Sequence, residues 1–134
     1  MSDEPEVIVR IEGRVGRLTL NRPQALHALT TNMIRLLTEA LVAWRSDPAV
    51  DLVLLDHAGD RGFCAGGDIR MLAESGAGDG LAAREFFFNE YRLNDLLHGY
   101  PKPTVAIMDG VTMGGGVGLA RPCTFRVATE RTTF

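Results

Sequence analysis

Two short apolar runs, Leu52–Leu55 and Thr104–Met108, are each followed by a segment dense in glycine. The first is Gly59-Asp60-Arg61-Gly62-Phe63-Cys64-Ala65-Gly66-Gly67-Asp68. The second follows Asp109-Gly110 and reads Met113-Gly114-Gly115-Gly116-Val117-Gly118-Leu119. Uninterrupted apolar runs of this length, bounded by turn residues, read as strands covered on both faces, as in parallel sheets. Ligands of such sheets gather at the carboxyl ends of the strands. Both glycine-rich segments are therefore expected on one rim, where glycine lets the backbone come close to a ligand. Two backbone N–H groups converging there would stabilise the negative charge that develops on a carbonyl oxygen in acyl chemistry. Tight turns alone are the alternative reading of either cluster taken singly.

The rest of the chain supplies the partners for those strands. Val7, Val9 and Ile11 alternate, Glu12-Gly13-Arg14 interrupts, and Val15–Leu20 resumes, which predicts a hairpin. Asn21-Arg22-Pro23 ends its second strand, since proline cannot donate to a ladder. Met33, Leu37, Ala40, Leu41 and Trp44 form one helical stripe behind a Thr30 or Thr31 cap, and Asp47-Pro48 closes it. Strand, helix and Leu52–Leu55 then make a βαβ unit. A short helix is expected to start over 69–73, and Ser75–Gly80 reads as a mobile loop. A long helix is expected over Leu81–Leu97 with Phe87, Tyr91 and Leu97 buried. Phe125–Thr129 reads as a last strand.

Composition excludes several function classes. The chain has 134 residues and a net charge of −3, which argues against nucleic acid or an anionic membrane as the main partner. Its two cysteines, Cys64 and Cys123, cannot form a disulfide framework. No apolar run approaches the roughly 20 residues of a membrane span. The acidic start lacks a targeting core, so a cytoplasmic location follows by default. Neither a phosphate-binding Gly-x-x-x-x-Gly-Lys motif nor a nucleophile elbow is present. His27, His57 and His98 lack metal-ligand spacing. Cys64 reads as a small buried residue.

Three motifs carry a resemblance. Leu20-Asn21-Arg22-Pro23-Gln24-Ala25-Leu26-His27-Ala28-Leu29, then Phe63-Cys64-Ala65-Gly66-Gly67-Asp68-Ile69, then Lys102-Pro103 with Asp109-Gly110 and Met113-Gly114-Gly115-Gly116 resemble, in order and spacing, the signatures of the crotonase (enoyl-CoA hydratase/isomerase) superfamily. The resemblance runs along nearly the whole chain. Asn89-Glu90-Tyr91 and Phe125-Arg126-Val127-Ala128-Thr129-Glu130 are similar to its 3-hydroxyisobutyryl-CoA hydrolase branch.

The resemblance implies an α/β fold, a crotonase-like (ClpP/crotonase) spiral of ββα repeats, incomplete at its C-terminal end. Residues 1–134 would be the N-terminal part of the core domain. It implies that the backbone N–H groups of Gly67 and Gly115 form an oxyanion hole. Gln24, Ala25, Leu26, Ala65, Gly66 and Gly67 would line the coenzyme A path, and Glu90 would contact substrate. Asp68 stands beside them, more as a helix cap than as a chemical group. Arg22, Arg70 and Lys102 are candidates for the phosphates. Coenzyme A enters as part of the substrate, with no prosthetic group. Many hydratases carry a catalytic glutamate at the position of Gly118, and glycine there favours hydrolysis of a short branched β-hydroxyacyl thioester. Hydration or isomerisation of an enoyl-CoA, and a silent acyl-CoA-binding fragment, are the alternatives. In the resembled family the catalytic carboxylates lie in segments that would follow Phe134. The 134-residue chain is therefore expected to lack turnover and to expose apolar surface, while the full-length form would be a homo-oligomer.

Overall fold

The chain builds its main sheet outwards from the predicted hairpin. A computed structural model describes residues 4–59, 61–64, 67, 69–113 and 115–133. β1 (Val7–Glu12) and β2 (Val15–Leu20) pair antiparallel across the loop Gly13-Arg14. β3 (Leu52–His57), β5 (Thr104–Met108) and β7 (Phe125–Ala128) then add in parallel, giving the order β1-β2-β3-β5-β7. The apolar runs at 52–55 and 104–108 lie in the middle of this sheet, but the expected cover on both faces is complete on one only: Val53, Leu55, Thr104, Ala106 and Met108 are buried, while Leu52, Leu54, Val105 and Ile107 on the other face are half-buried.

One helix supplies most of the cover. α1 (Thr31–Arg45) buries Met33, Ile34, Leu37, Ala40, Leu41 and Trp44. Thr30 caps it by accepting the Met33 N–H at 3.0 Å. A cap of this kind contributes about 1 kcal/mol, whereas each large apolar side chain buried contributes about 1.5–3 kcal/mol. Packing on the sheet therefore holds α1 in place, and the cap sets where it begins.

Each central strand ends in a corner and continues in a second sheet. β4 (Gly62–Cys64) follows β3, β6 (Val111–Thr112) follows β5, and these two short strands pair in parallel. Parallel bridges Leu29–Gly67 and Val111–Thr133 continue the same pattern on either side. The chain thus climbs as repeats of long strand, corner, short strand and helix, the ββα spiral that the motifs implied. The helices are α2 (Ile69–Ala77), α3 (Leu81–His98) and α4 (Gly115–Ala120).

Three expectations need correction. The segment after β3 is more than a loop, because Gly62–Cys64 is strand. Residues 75–80 are partly helical: α2 runs to Ala77, and Ser75 accepts from the Gly78 and Gly80 N–H groups at 3.0 and 2.9 Å. The Ser75 hydroxyl also accepts from Ala83 N–H at 2.9 Å, tying α2 to α3. On α3 the buried residues are Phe86, Leu93 and Leu97, while Phe87 is 40% and Tyr91 66% exposed. Three consecutive phenylalanines offer two helical registers, and contact with the rest of the fold chooses between them.

Gly110 makes the β5–β6 corner possible. Its φ is +96°, and a Cβ there would lie 2.6 Å from the Arg61 carbonyl oxygen. Gly110→Ala should lower the unfolding free energy by about 2–4 kcal/mol, the sum of backbone strain and overpacking. Gly76→Ala, in the last turn of α2 with open space around it, should be neutral or slightly stabilising. Urea denaturation of the two variants beside the parent chain checks this.

Candidate active site

The two glycine-rich segments meet because β4 and β6 are neighbours. Met113 N–H donates to the Cys64 carbonyl at 3.0 Å, so the chain leaves both strands side by side. A Cβ on Gly116 would lie 2.4 Å from that same carbonyl, so only glycine lets α4 start so close to the end of β4. Gly67 follows three residues after Cys64, and Gly115 is the first residue of α4. The N–H groups of a helix's first turn have no acceptor within the helix. Gly67 is half-buried under α3, where a Cβ would meet the Phe86 ring at 3.2 Å. The expected shared rim therefore exists, built from the short strands rather than directly from the long ones.

A third segment closes against the rim through one histidine. Pro23–Ala25 forms a turn of 3-10 helix, and Leu26 and His27 follow in the left-handed region at φ 50° and 53°. The His27 ring explains this conformation. Its Nδ1 accepts the Arg22 N–H at 2.9 Å, so Nε2 carries the proton and donates to the Ala58 carbonyl at 2.8 Å. Cys64 Sγ donates to the His27 carbonyl at 3.2 Å, which fastens the loop to β4. Leu26 packs against Gly62, where a Cβ would lie 3.5 Å from Leu26 Cδ2. Gln24 is exposed and Ala25 half-buried. Burial disfavours a charged His27 ring and pulls its pKa down from 6.5 to about 4.

α3 contributes the acidic candidate. Phe86, Glu90 and Asn94 are spaced four residues apart and share one face. Phe86 touches Gly67, and the Asn94 amide lies against Gly118, where a Cβ would be 3.1 Å from Nδ2. Glu90 thus sits midway between contacts to both glycine-rich segments. It is half-buried and forms no hydrogen bond or ion pair among the described residues. Desolvation raises its carboxyl above the ordinary range. A solvated helix glutamate would show neither feature.

Other candidates fall elsewhere. Lys102 Nζ donates to the Trp44 and Asp47 carbonyls at 2.5 and 2.6 Å, closing the C-terminal end of α1 far along β5 from the rim. Arg22 Nη1 donates to the Ala28 carbonyl at 2.9 Å and lies beside Glu6, so it braces the His27 loop. Ala65, Gly66, Asp68 and the Arg70 side chain lie outside the described residues. Asp109 is a latch: it accepts from Thr129 Oγ1 at 2.6 Å and pairs with Arg131 at 2.5 Å. Among the described residues no cluster of His, Cys, Asp and Glu could hold a metal ion, and no helix is long and apolar enough to cross a membrane. Asn94 and the bracing role of His27 escaped the sequence reading. Asn94 was findable as the residue one turn after Glu90. The His27 bonds depend on a left-handed backbone that nothing in its neighbours announces.

Residues 15–134 match the family described as enoyl-CoA hydratase/isomerase. The chain belongs to that family. Within it, the chain is 50% identical over 129 residues to the mitochondrial 3-hydroxyisobutyryl-CoA hydrolase of Danio rerio, covering 96% of this chain and 34% of that one. The human protein of that name is 46% identical over 129 residues, 96% of this chain and 33% of its own. This family member therefore spans about a third of the length of the curated relatives it matches. Among solved structures, a carnitinyl-CoA dehydratase from Mycobacterium thermoresistibile superposes with a TM-score of 0.95 at 50% identity, over 96% of this chain and 38% of that one. An enoyl-CoA hydratase from Rhodobacter sphaeroides gives 0.90 at 45% identity, over 95% and 38%. The family and its crotonase fold are as the motifs implied. The cytoplasmic placement is not: the hydrolase relatives are named as mitochondrial. The placement rested on the absence of a hydrophobic targeting core from the first residues, and such an absence does not assign a compartment.

The neutral His27 ring predicts a pH dependence. Its folded pKa of about 4 lies below the ordinary 6.5. The folded state thus binds fewer protons than the unfolded chain between those values, and stability falls as the pH drops through that window. The loss should reach about 3 kcal/mol near pH 4. Urea midpoints at pH 7 and 4.5 should show it. His27→Asn should be less stable at pH 7 but fall less steeply on acidification.

Proposed function

We propose that this chain carries the thioester-polarising and coenzyme A-contacting part of an acyl-CoA hydrolase, acting on a 3-hydroxyisobutyryl-CoA-like substrate. The observation that carries the reading is the meeting of the two glycine-rich segments at the paired ends of β4 and β6. In this reading the backbone N–H groups of Gly67 and Gly115 donate to the thioester carbonyl oxygen. Attack at the carbonyl carbon places negative charge on that oxygen, the two donors hold it, and the charge collapses as the coenzyme A thiolate leaves. One such donor is worth roughly a hundred- to a thousand-fold in rate. The backbone around Ala65, Gly66 and Gly67, with Gln24, Ala25 and Leu26, lines the pantetheine and adenine path. His27 holds that loop against the rim. Glu90 contacts the acyl group, and Asp68 caps the helix that follows.

The names of the curated relatives support hydrolysis over hydration, and so does Gly118, which has no carboxyl to handle water. The second reading, hydration or isomerisation of an enoyl-CoA, draws on the solved dehydratase and hydratase at 45–50% identity. The carboxylate that activates water is not assigned to any described residue, and homo-oligomer formation belongs to the whole-protein proposal.

Incubating the whole protein with 3-hydroxyisobutyryl-CoA and with an enoyl-CoA separates the readings. Release of free thiol from the first, without loss of enoyl absorbance from the second, is expected. The reverse pattern would establish hydration, and coenzyme A binding in calorimetry without either reaction would make the chain a silent binding module. Glu90→Gln should lower kcat/KM for the thioester by about 10- to 100-fold, as expected for losing a hydrogen bond to a charged group.

A further inference from the structure

We propose that Asn94 determines acyl-group specificity, its buried amide oxygen accepting a hydrogen bond from the hydroxyl of a β-hydroxyacyl thioester. The inference rests on the acyl-thioester reading and extends it to a residue that no motif marks.

Asn94 Oδ1 is buried and without a hydrogen-bond partner, the one such side-chain atom among the described residues. An unsatisfied buried acceptor costs about 1–3 kcal/mol, so each case calls for a reason. Other buried polar groups do find partners: Thr104 exchanges two side-chain-to-backbone bonds with Thr124 at 3.0 and 3.1 Å, and the Cys123 thiol donates to the Leu119 carbonyl at 3.3 Å. The isolation of Asn94 Oδ1 is local.

Its location gives the reason. The amide lies against Gly118, with Nδ2 3.1 Å and Oδ1 3.7 Å from where a Cβ would stand. A side chain at 118 and the Asn94 amide would compete for the same space, so glycine at 118 is what allows α3 to deliver the amide there. Gly118 lies three residues into α4 beyond Gly115. Asn94 lies one turn along α3 from Glu90. The amide is therefore held against α4 on the face of α3 that also carries Glu90, which the proposed function places at the acyl group.

The chemistry of the group selects the ligand. An amide oxygen accepts but does not ionise, so it requires a donor and cannot remove its proton. A hydroxyl on the acyl chain meets that requirement, whereas a plain alkyl acyl group leaves the oxygen unpaired. Sites that hydrogen-bond a substrate hydroxyl reject the analogue lacking it, because the penalty for the unpaired group returns.

Calorimetric titration with 3-hydroxyisobutyryl-CoA and with isobutyryl-CoA, which lacks only the hydroxyl, tests this. The wild-type protein should bind the hydroxylated ester about tenfold more tightly, corresponding to one hydrogen bond. In Asn94→Ala the ratio of the two dissociation constants should fall to within about twofold, and Asn94→Asp, which keeps an acceptor oxygen in place, should retain a preference. Equal binding of the two esters by the wild type overturns the inference without recourse to any variant. An undiminished preference in a folded Asn94→Ala, shown by an unchanged circular dichroism spectrum, also overturns it. Failure of the wild type to bind either ester would instead sink the thioester reading on which it stands.

Discussion

The corners between the two sheets hold the molecule's described rim together, and they do so by bonding to one another. His27, after β2, donates to the Ala58 carbonyl at the β3 corner at 2.8 Å. His57, at that same corner, donates through Nε2 to the Asp109 carbonyl at the β5 corner at 2.7 Å. Asp109 in turn accepts from Thr129 and Arg131 beyond β7. Thr132 Oγ1 returns a hydrogen bond to the Met108 carbonyl. Four consecutive repeats are thus joined sideways at the point where each strand bends. A bent strand leaves carbonyls that the ladder cannot satisfy, and buried carbonyls need donors. Ring nitrogens and hydroxyls supply them here.

From this arrangement the rest of the proposed site follows. With the corners in register, β4 and β6 pair, and the segments after them leave together. Backbone N–H groups held this way are preorganised, which gives them their value in stabilising charge. α3 then spans the rim, touching Gly67 through Phe86 and Gly118 through Asn94. The helix carries one raised carboxyl and one unpaired amide oxygen to the same side. Both are strained in the electrostatic sense, and such groups are common where a ligand completes the environment.

Much of this was legible in the sequence. Apolar runs flanked by glycine marked β3 and β5, and the α1 stripe was read almost residue for residue, because one face of a helix on a sheet leaves a plain period. The β1 edge was less legible: Val9 and Ile11 alternate with Val7, yet they are 44% and 50% exposed, since α1 covers only one end of that strand. α3 misled for a related reason. Phe86, Phe87 and Phe88 make periodicity ambiguous, and only the glycine at 67 leaves room for an aromatic ring there. Lys102 looked like a phosphate ligand by its charge and proved to be a helix-end donor, because charge alone carries no position.

By itself the sequence determined the family, the long strands, the α1 stripe and which glycines matter, since each of these is written in local pattern and spacing, while the short strands β4 and β6 emerged only in the fold. The tertiary structure decided which side chains face which. It put Asn94 over Gly118, closed His27 onto Ala58, and turned Asp109 into a latch. These are contacts across 24 residues between Asn94 and Gly118 and 31 between His27 and Ala58. Contacts at such separations arise from strand register and the close approach of backbones, and no local propensity encodes them.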